Sequence, residues 1–177
     1  MKIQVSLFLI ILILAACVGE GSSGVQIDQD EKIIVKKFSD SLQADTFKVA
    51  IINNAKTDRQ LAFSITNFKG SVIYQLTLNS ETLFNNYKST LDLKKDNDKV
   101  SFLNTELSRF LDEENFMEPA VTENESADNN VPDKILYEEL KNNGLNGFMY
   151  RVGPDQKVYI AWSATNGKVK TYYACCN

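Results

Sequence analysis

The stretch that decides the fold is the C-terminal segment 147–177, GFMYRVGPDQKVYIAWSATNGKVKTYYACCN. Apolar and polar residues alternate in three runs, and turn-forming residues separate these runs at 153–156 and 165–167. An Asn-Gly pair between two alternating runs is the strongest short signal for a β-hairpin. The segment therefore predicts a three-stranded antiparallel meander.

Successive side chains of a strand point to opposite faces, so the meander presents two different surfaces. We expect one face to lie mainly in the core and to carry Phe148, Tyr150, Val152, Val158, Ile160, Trp162, Val169, Thr171 and Tyr173. Tyrosine and tryptophan combine a large rigid area with a polar handle, which suits binding surfaces. The candidate binding residues are Tyr159 and Tyr172 beside Arg151 and Lys170 on the other face, provided that no helix covers it, with Trp162 as a further candidate on the first face.

Upstream of the meander, three alternating segments predict strands at 47–54, 59–66 and 71–78. A turn at 67–70 joins the last two strands into a hairpin. Segment 31–45 is interpreted as a helix, because Ile34, Phe38 and Leu42 recur at a spacing of four residues. A strand starting near Ile33 remains open as the alternative.

Two central helices complete the pattern, with a further one or two helical turns over 80–87. We expect the first helix to start at the N-cap Asp98 and to run to about Glu113. The second runs from Pro132 or Asp133 to Asn143, followed by Gly144 at the left-handed position. Strands, then helices, then strands predict an α+β domain with a largely antiparallel sheet.

Between these helices lies the acidic segment 112–130, DEENFMEPAVTENESADNN, with seven acidic residues and no Lys or Arg. Such composition is typical of a solvated or disordered loop. Phe116 and Met117 keep open a docking surface for a basic partner, or a weak cation site.

The N-terminus, MKIQVSLFLIILILAAC, has the charge pattern and apolar length of a signal peptide. Its last four residues, Leu14-Ala15-Ala16-Cys17, resemble the lipobox of bacterial lipoproteins. This resemblance implies cleavage before Cys17, acylation of that cysteine, and anchoring to a membrane through the attached lipid. It divides the chain into a signal peptide at 1–16, a lipidated cysteine with a Gly- and Ser-rich tether at 17–30, and one domain at 31–177.

The residue after the lipobox bears on the location of the anchored protein. Residue 18 is valine, whereas aspartate at this position is the inner-membrane retention signal of enteric lipoproteins. We therefore expect an outer-membrane protein that faces the periplasm.

The composition excludes several functions. Without Lys2, the chain carries 18 basic and 23 acidic side chains and no histidine. The lack of a basic cluster argues against nucleic acid, and the lack of histidine removes Ser-His-Asp and Cys-His catalysis and His-ligated metal sites. We expect no catalytic residue, metal or cofactor. For the adjacent Cys175 and Cys176 we expect a strained disulfide or simple packing, and disulfides between chains or a redox or metal role stay open as alternatives.

The leading hypothesis is a non-catalytic envelope lipoprotein that binds another envelope protein, as an accessory or immunity factor. The alternative is a lipoprotein that binds a small molecule or glycan through the aromatic sheet face. A histidine-free envelope hydrolase is a third. A flat aromatic patch would favour the first, a concavity lined by Tyr and Trp the second, and two convergent acids in a cleft the third.

Overall fold

The computed structural model describes residues 26–28, 30–55 and 58–175 of the 177-residue chain. Over these residues the chain forms two antiparallel sheets and three α-helices, which confirms the predicted α+β class. The signal peptide, Cys17, most of the tether and Cys176 lie outside the described residues. No helix in the described part of the chain is long and apolar enough to cross a membrane.

The first sheet contains five strands in the order β1-β2-β3-β4-β5, each antiparallel to its neighbours. The strands are β1 Gln26–Asp28, β2 Glu31–Lys37, β3 Ala44–Ala55, β4 Asp58–Thr66 and β5 Val72–Asn79. The strands predicted at 47–54, 59–66 and 71–78 are confirmed, and so is the hairpin of the last two.

The helix predicted over 31–45 is wrong, because this segment forms β2 followed by a turn. A spacing of four residues also keeps side chains on one face of a strand, since four is a multiple of the two-residue period. Ile34 and Phe38 are accordingly buried, whereas Leu42 is 80% exposed in the turn.

The α-helices are α1 Ser80–Tyr87, α2 Asp96–Phe110 and α3 Lys134–Asn143. The predicted bounds of α3 hold, and Gly144 follows it with a φ of 63°. The N-cap predicted for α2 is wrong: Lys95 is the cap residue, and Asp98 lies inside the first turn. A carboxylate there still interacts favourably with the positive end of the helix dipole.

The second sheet has the order β6-β7-β8-β9, and its last three strands form the predicted meander. The strands are β6 Phe116–Met117, β7 Gly147–Arg151, β8 Lys157–Ser163 and β9 Lys168–Cys175. The two turns lie at the predicted places, and Gly167 of the Asn-Gly pair has a φ of 61°.

A bulge in β9 alters the predicted faces. Tyr159 pairs with Tyr173, whereas the next residue, Ile160, pairs with Thr171. One extra residue, Tyr172, is therefore inserted in β9, and the faces alternate differently beyond it. Tyr173, predicted on the same face as Thr171, instead packs with Tyr159 in a second cluster.

Two apolar clusters lie on the two sides of the second sheet. The first is enclosed by the first sheet, α1, α2 and one face of the second sheet. Phe47 lies at its centre, with ring centroids 5.4 Å from Phe38, 5.2 Å from Phe116 and 5.4 Å from Phe148. The second cluster lies between the other face of the second sheet, α3 and segment 120–131.

The acidic segment is only partly the solvated loop that its composition predicts. Residues 113–115 form a short 3₁₀ helix, and β6 follows directly. Phe116 is 8% exposed in the first cluster and Val121 is 1% exposed in the second. The prediction holds for 122–126, where every residue is exposed.

Candidate functional site

The structure separates the five candidate binding residues. Tyr172 is 3% exposed, because α3 packs over its face of the sheet. Lys170 pairs with Asp133, the N-cap residue of α3. Trp162 packs against the first cluster on the opposite face, and Arg151 lines a different pocket at the end of β7. The flat, open aromatic surface that these residues predict is therefore not formed.

A concavity with tyrosine walls takes its place at one edge of α3. We call it the tyrosine pocket; its volume is about 300 Å³, and its lining consists of Met117, Ala120, Glu125, Ser126, Asp128, Tyr137, Tyr159, Tyr172 and Tyr173. It unites two predicted residues, Tyr159 and Tyr172, with residues of α3 and of the acidic segment.

The β9 bulge positions the aromatic walls of this pocket. Because the bulge places Tyr172 and Tyr173 in the same cluster, both rings meet Tyr159. The ring centroid of Tyr159 lies 6.1 Å from that of Tyr172 and 5.3 Å from that of Tyr173, with interplanar angles of 70° and 87°. These edge-to-face contacts hold the rings at fixed angles to one another.

Two carboxylates lie in the same pocket, and each is held in place by hydrogen bonds. Glu125 accepts from the backbone N–H of Thr122 at 2.8 Å. Asp128 accepts from the backbone N–H of Asn130 at 2.8 Å and from the Tyr173 hydroxyl at 3.2 Å. Within 26–28, 30–55 and 58–175, no Lys or Arg forms an ion pair with either carboxylate.

The electrostatics of the pocket follow from its burial and its carboxylates. Burial raises the pKa of Tyr137, and the negative charges of Glu125 and Asp128 raise it further. Burial also raises the pKa of Tyr172, with smaller contributions from Tyr159 and Glu125. These phenols therefore stay neutral, and the pocket has a negative potential that favours a positive charge.

A second concavity, which we call the arginine pocket, lies at the end of β7. It is on the face of the second sheet opposite to the tyrosine pocket. Its volume is about 320 Å³, and its lining consists of Tyr87, Glu106, Arg109, Phe110, Glu114, Asn115, Tyr150, Arg151 and Pro154. Burial raises the pKa of Glu106, and the nearby Arg109 and Arg151 offset part of that rise. Burial and the Glu106 charge raise the pKa of Tyr87 to about 12.

Sequence reasoning missed Tyr137, Glu125 and Asp128. Tyr137 lies within the helix predicted from Pro132 or Asp133 to Asn143, and nothing in the sequence indicates that its ring reaches a pocket. Glu125 and Asp128 were assigned to solvated loop charge. The one available signal was the absence of Lys and Arg throughout 112–130, which leaves these carboxylates without a local cation.

Whether Cys175 and Cys176 form a disulfide stays a prediction. Cys175 is half-buried at the end of β9, and Cys176 lies outside the described residues. In the part of the chain that the structure describes, no cluster of three or more Cys, Asp or Glu side chains is arranged to hold a metal ion.

Comparison with known proteins finds no matching family model, curated protein or solved structure. The functional argument therefore depends on the chemistry of the two pockets.

Proposed function

We propose that this chain is a lipid-anchored envelope protein that binds, without catalysis, a ligand carrying an alkylammonium group in the tyrosine pocket. The resemblance of Leu14-Ala15-Ala16-Cys17 to a lipobox supports the anchor. Two or three acyl chains on Cys17 would hold the protein firmly, since each buried methylene contributes about 0.8 kcal/mol.

The observation that carries the ligand class is the combination of four tyrosine rings with two carboxylates that form no ion pair with a Lys or Arg in the part of the chain that the structure describes. A cation next to aromatic faces is attracted by the ring quadrupoles, and aromatic cages with this composition suit ammonium ligands. Glu125 and Asp128 add a direct charge attraction, although both carboxylates are solvent-exposed. A neutral ligand would gain neither contribution.

Two sources of the ammonium group fit the pocket, and both correspond to functions expected from the sequence. A free quaternary or primary amine would make the protein a small-molecule receptor. The side chain of a lysine on an envelope partner would make it a protein-binding factor. A pocket of about 300 Å³ favours the first, because its size suits a small ligand.

The anchor is tested by mass spectrometry of the N-terminal peptide of the protein purified from membranes. We expect a peptide that starts at Cys17 and carries a diacylglyceryl group. Cys17→Ser should abolish the modification and move the protein from the detergent phase to the aqueous phase. An unmodified Cys17, or a chain still starting at Met1, would contradict the anchor and leave the pocket proposal intact.

The ligand class is tested by titrating the mature chain with choline and with 3,3-dimethyl-1-butanol, which has the same shape without the charge. We expect choline to bind and the neutral alcohol to bind at least about tenfold more weakly, a difference of about 1.4 kcal/mol. Glu125→Gln should weaken choline binding by a similar factor. Phe68→Leu, which removes a half-exposed ring in a distant turn, is the matched control and should have no effect.

A parallel titration with Nα-acetyl-lysine methylamide, whose side-chain ammonium is free, distinguishes a partner's lysine from a free amine. Tighter binding of this probe than of choline would indicate a partner's lysine, and the reverse order would indicate a free quaternary amine. Equal binding of choline and the neutral alcohol would overturn the proposal.

A further inference from the structure

Most of the large apolar side chains that remain exposed lie at one end of the first sheet. Among the residues whose exposure the structure describes, these side chains are Val35, Leu42, Phe68, Val72, Leu91 and Ile135. The first four belong to β2, to β5 and to the turns 38–43 and 67–71, and we call them the turn patch. The other two belong to the loop after α1 and to the first turn of α3.

The strand register brings the turn patch to the same end of the sheet. β2 and β4 run in the same direction, because each is antiparallel to β3, so the turns that follow them lie side by side. One row of paired residues near this end starts at Val35, continues through Thr46 and Thr66, and ends at Val72. The buried carboxylate of Asp45 accepts a backbone N–H from each turn, at 2.7 Å and 3.0 Å. The two turns are therefore tied to each other.

Hydrogen bonds within each turn hold the apolar side chains in their exposed positions. Asp40 Oδ1 accepts from the backbone N–H of Leu42 at 2.7 Å. Asn67 Oδ1 accepts from the backbone N–H of Lys69 at 3.0 Å. Leu42 is 80% exposed and Phe68 is 42% exposed. Contact of these side chains with water is unfavourable, and transfer of them to an apolar environment would release that free energy.

The charged residues at this end are mainly lysines. Segments 37–43 and 67–72 contain the exposed Lys37 and Lys69 and a single acidic residue, Asp40, whose carboxylate accepts backbone N–H groups of its own turn. Neither lysine forms an ion pair in the described part of the chain. Lys69 Nζ lies 5.3 Å from the ring centroid of Phe68. Ammonium groups next to exposed apolar side chains suit the surface of a bilayer that contains anionic lipid.

The tether enters the first sheet from the direction of the turn patch. β1 is antiparallel to β2, with Gln26 opposite Ile33. Followed back towards the N-terminus, β1 therefore runs towards Lys37 at the end of β2, which lies about 13 Å further along the strand. Residues 17–25 span at most about 30 Å. An acylated Cys17 is thus close enough for the turn patch to reach the membrane that holds it.

We propose that the turn patch is a second membrane contact, which docks on a bilayer that contains anionic phospholipid. Leu42 and Phe68 enter the boundary between the headgroups and the acyl chains, as the apolar residues of interfacial proteins do. Lys37 and Lys69 stay at the headgroups and bind their phosphates. The direction of approach rests on the lipid anchor proposed above, whereas the composition of the turn patch does not depend on it.

The turn patch is tested without the anchor by flotation of the unacylated chain, Cys17→Ser, with vesicles. One set of vesicles is phosphatidylcholine, and the other is an equal mixture of phosphatidylcholine and phosphatidylglycerol. We expect binding to the mixed vesicles, and binding at least about tenfold weaker when Leu42→Ser and Phe68→Ser are added. Adding Lys37→Gln and Lys69→Gln instead should remove the preference for the mixed vesicles.

The matched control combines Leu91→Ser with Ile135→Ser. These residues are 43% and 83% exposed, close to the values for Phe68 and Leu42, but they lie outside the turn patch. The control should bind the mixed vesicles like the unaltered chain, and its urea unfolding and that of the variant with Leu42→Ser and Phe68→Ser should also be unchanged. Equal vesicle binding by the two double variants, or no binding by the unaltered chain at saturating lipid, would overturn the proposal. Self-association that requires Leu42 and Phe68, without vesicle binding, would overturn it in favour of a second copy.

The acylated protein in nanodiscs tests the direction of approach. A lipid with a gadolinium chelate on its headgroup broadens the NMR signals of nearby amides. We expect the strongest broadening in the turns 38–43 and 67–71 and weaker broadening in the loop 88–95. Equal or stronger broadening of the loop would contradict the proposed orientation. An unmodified Cys17, with vesicle binding that still requires Leu42 and Phe68, would contradict the anchor and support the turn patch.

Discussion

Lys32 Nζ lies 2.8 Å from Asp112 Oδ1, and this ion pair joins β2 to the acidic segment after α2. Lys32 is 7% exposed, and its ammonium also donates to the carbonyl oxygen of Ser108. On the same face of β2, Lys36 binds Glu113 at 2.7 Å and Glu118 at 3.2 Å. Two lysines on one face of a strand thus hold the start of the acidic segment against the first sheet.

The two partners of the Lys32–Asp112 pair should differ in their effects on stability. Asp112→Ala leaves a buried ammonium without its counter-charge, and we expect the free energy of unfolding to fall by about 3 kcal/mol. Lys32→Met leaves a half-exposed carboxylate that water can solvate, and we expect a loss of about 1 kcal/mol. Urea unfolding measures both. Equal losses, or a larger loss for Lys32→Met, would show that burial of the ammonium is not the deciding factor.

Asp45 should be a strong determinant of the stability of the first sheet. Its carboxylate is fully buried and accepts from the backbone N–H groups of Ser39 at 2.7 Å and Phe68 at 3.0 Å, so it connects two turns at one end of the sheet. Asp45→Ala leaves both donors without a partner, and we expect a loss of about 3 kcal/mol in urea unfolding. Asp40→Ala, in the exposed turn nearby, is the control. A comparable loss in both variants would refute the special role of Asp45.

Gly147 should be required for the shape of the tyrosine pocket. A Cβ at this position would lie 2.7 Å from the Tyr172 hydroxyl oxygen and 3.0 Å from the Ala120 Cβ. Gly147→Ala therefore has to displace Tyr172, and we expect a loss of about 2 kcal/mol together with weaker choline binding.

Gly167→Ala is the matched control for this effect. Gly167 has a φ of 61° and open space around its Cα, so the variant introduces backbone strain of about 1 kcal/mol without touching the pocket. Choline affinity should stay normal. If Gly147→Ala also binds choline normally, Tyr172 does not shape the site as described.

The pH dependence of stability should reveal the buried carboxyl Glu106. Burial raises its pKa in the folded state, while Arg109 and Arg151 oppose the rise. A raised pKa favours folding while the carboxyl is protonated, and this contribution is lost as the pH rises through the folded-state pKa. The free energy of unfolding of Glu106→Gln should therefore increase relative to wild type as the pH rises from the ordinary glutamate pKa through the raised folded-state pKa. A difference that is constant, or that changes in the opposite direction, would contradict the burial of an ionisable group here.

The parts of the fold governed by short-range chemistry could be predicted from the sequence. The Asn-Gly turn, the alternation in 59–66 and the Gly144 cap each act within a few residues. The helix prediction for 31–45 was wrong because a four-residue spacing fits both a helix and a strand. Only the pairing of this segment with β3 decides between them. The prediction of a solvated loop was wrong for the start of the acidic segment, because the lysines that bind it lie nearly eighty residues earlier in the chain.

The candidate site was predicted in part, for a related reason. Alternation correctly placed Tyr159 and Tyr172 together, but it assigned Tyr173 to the wrong face, because a bulge has no reliable signature in one sequence. The covering of this face by α3 depends on tertiary packing. Arg151 was expected beside the tyrosines and instead reaches a different pocket at the end of its strand.

The most direct test of the proposed function is the detection of intermolecular NOEs between the methyl protons of tetramethylammonium and the aromatic protons of the protein. We predict NOEs to Tyr137, Tyr159 and Tyr173, and their loss in Glu125→Gln. NOEs only to aromatic rings outside the tyrosine pocket, or none at saturating ligand, would contradict the proposal that this pocket binds alkylammonium groups.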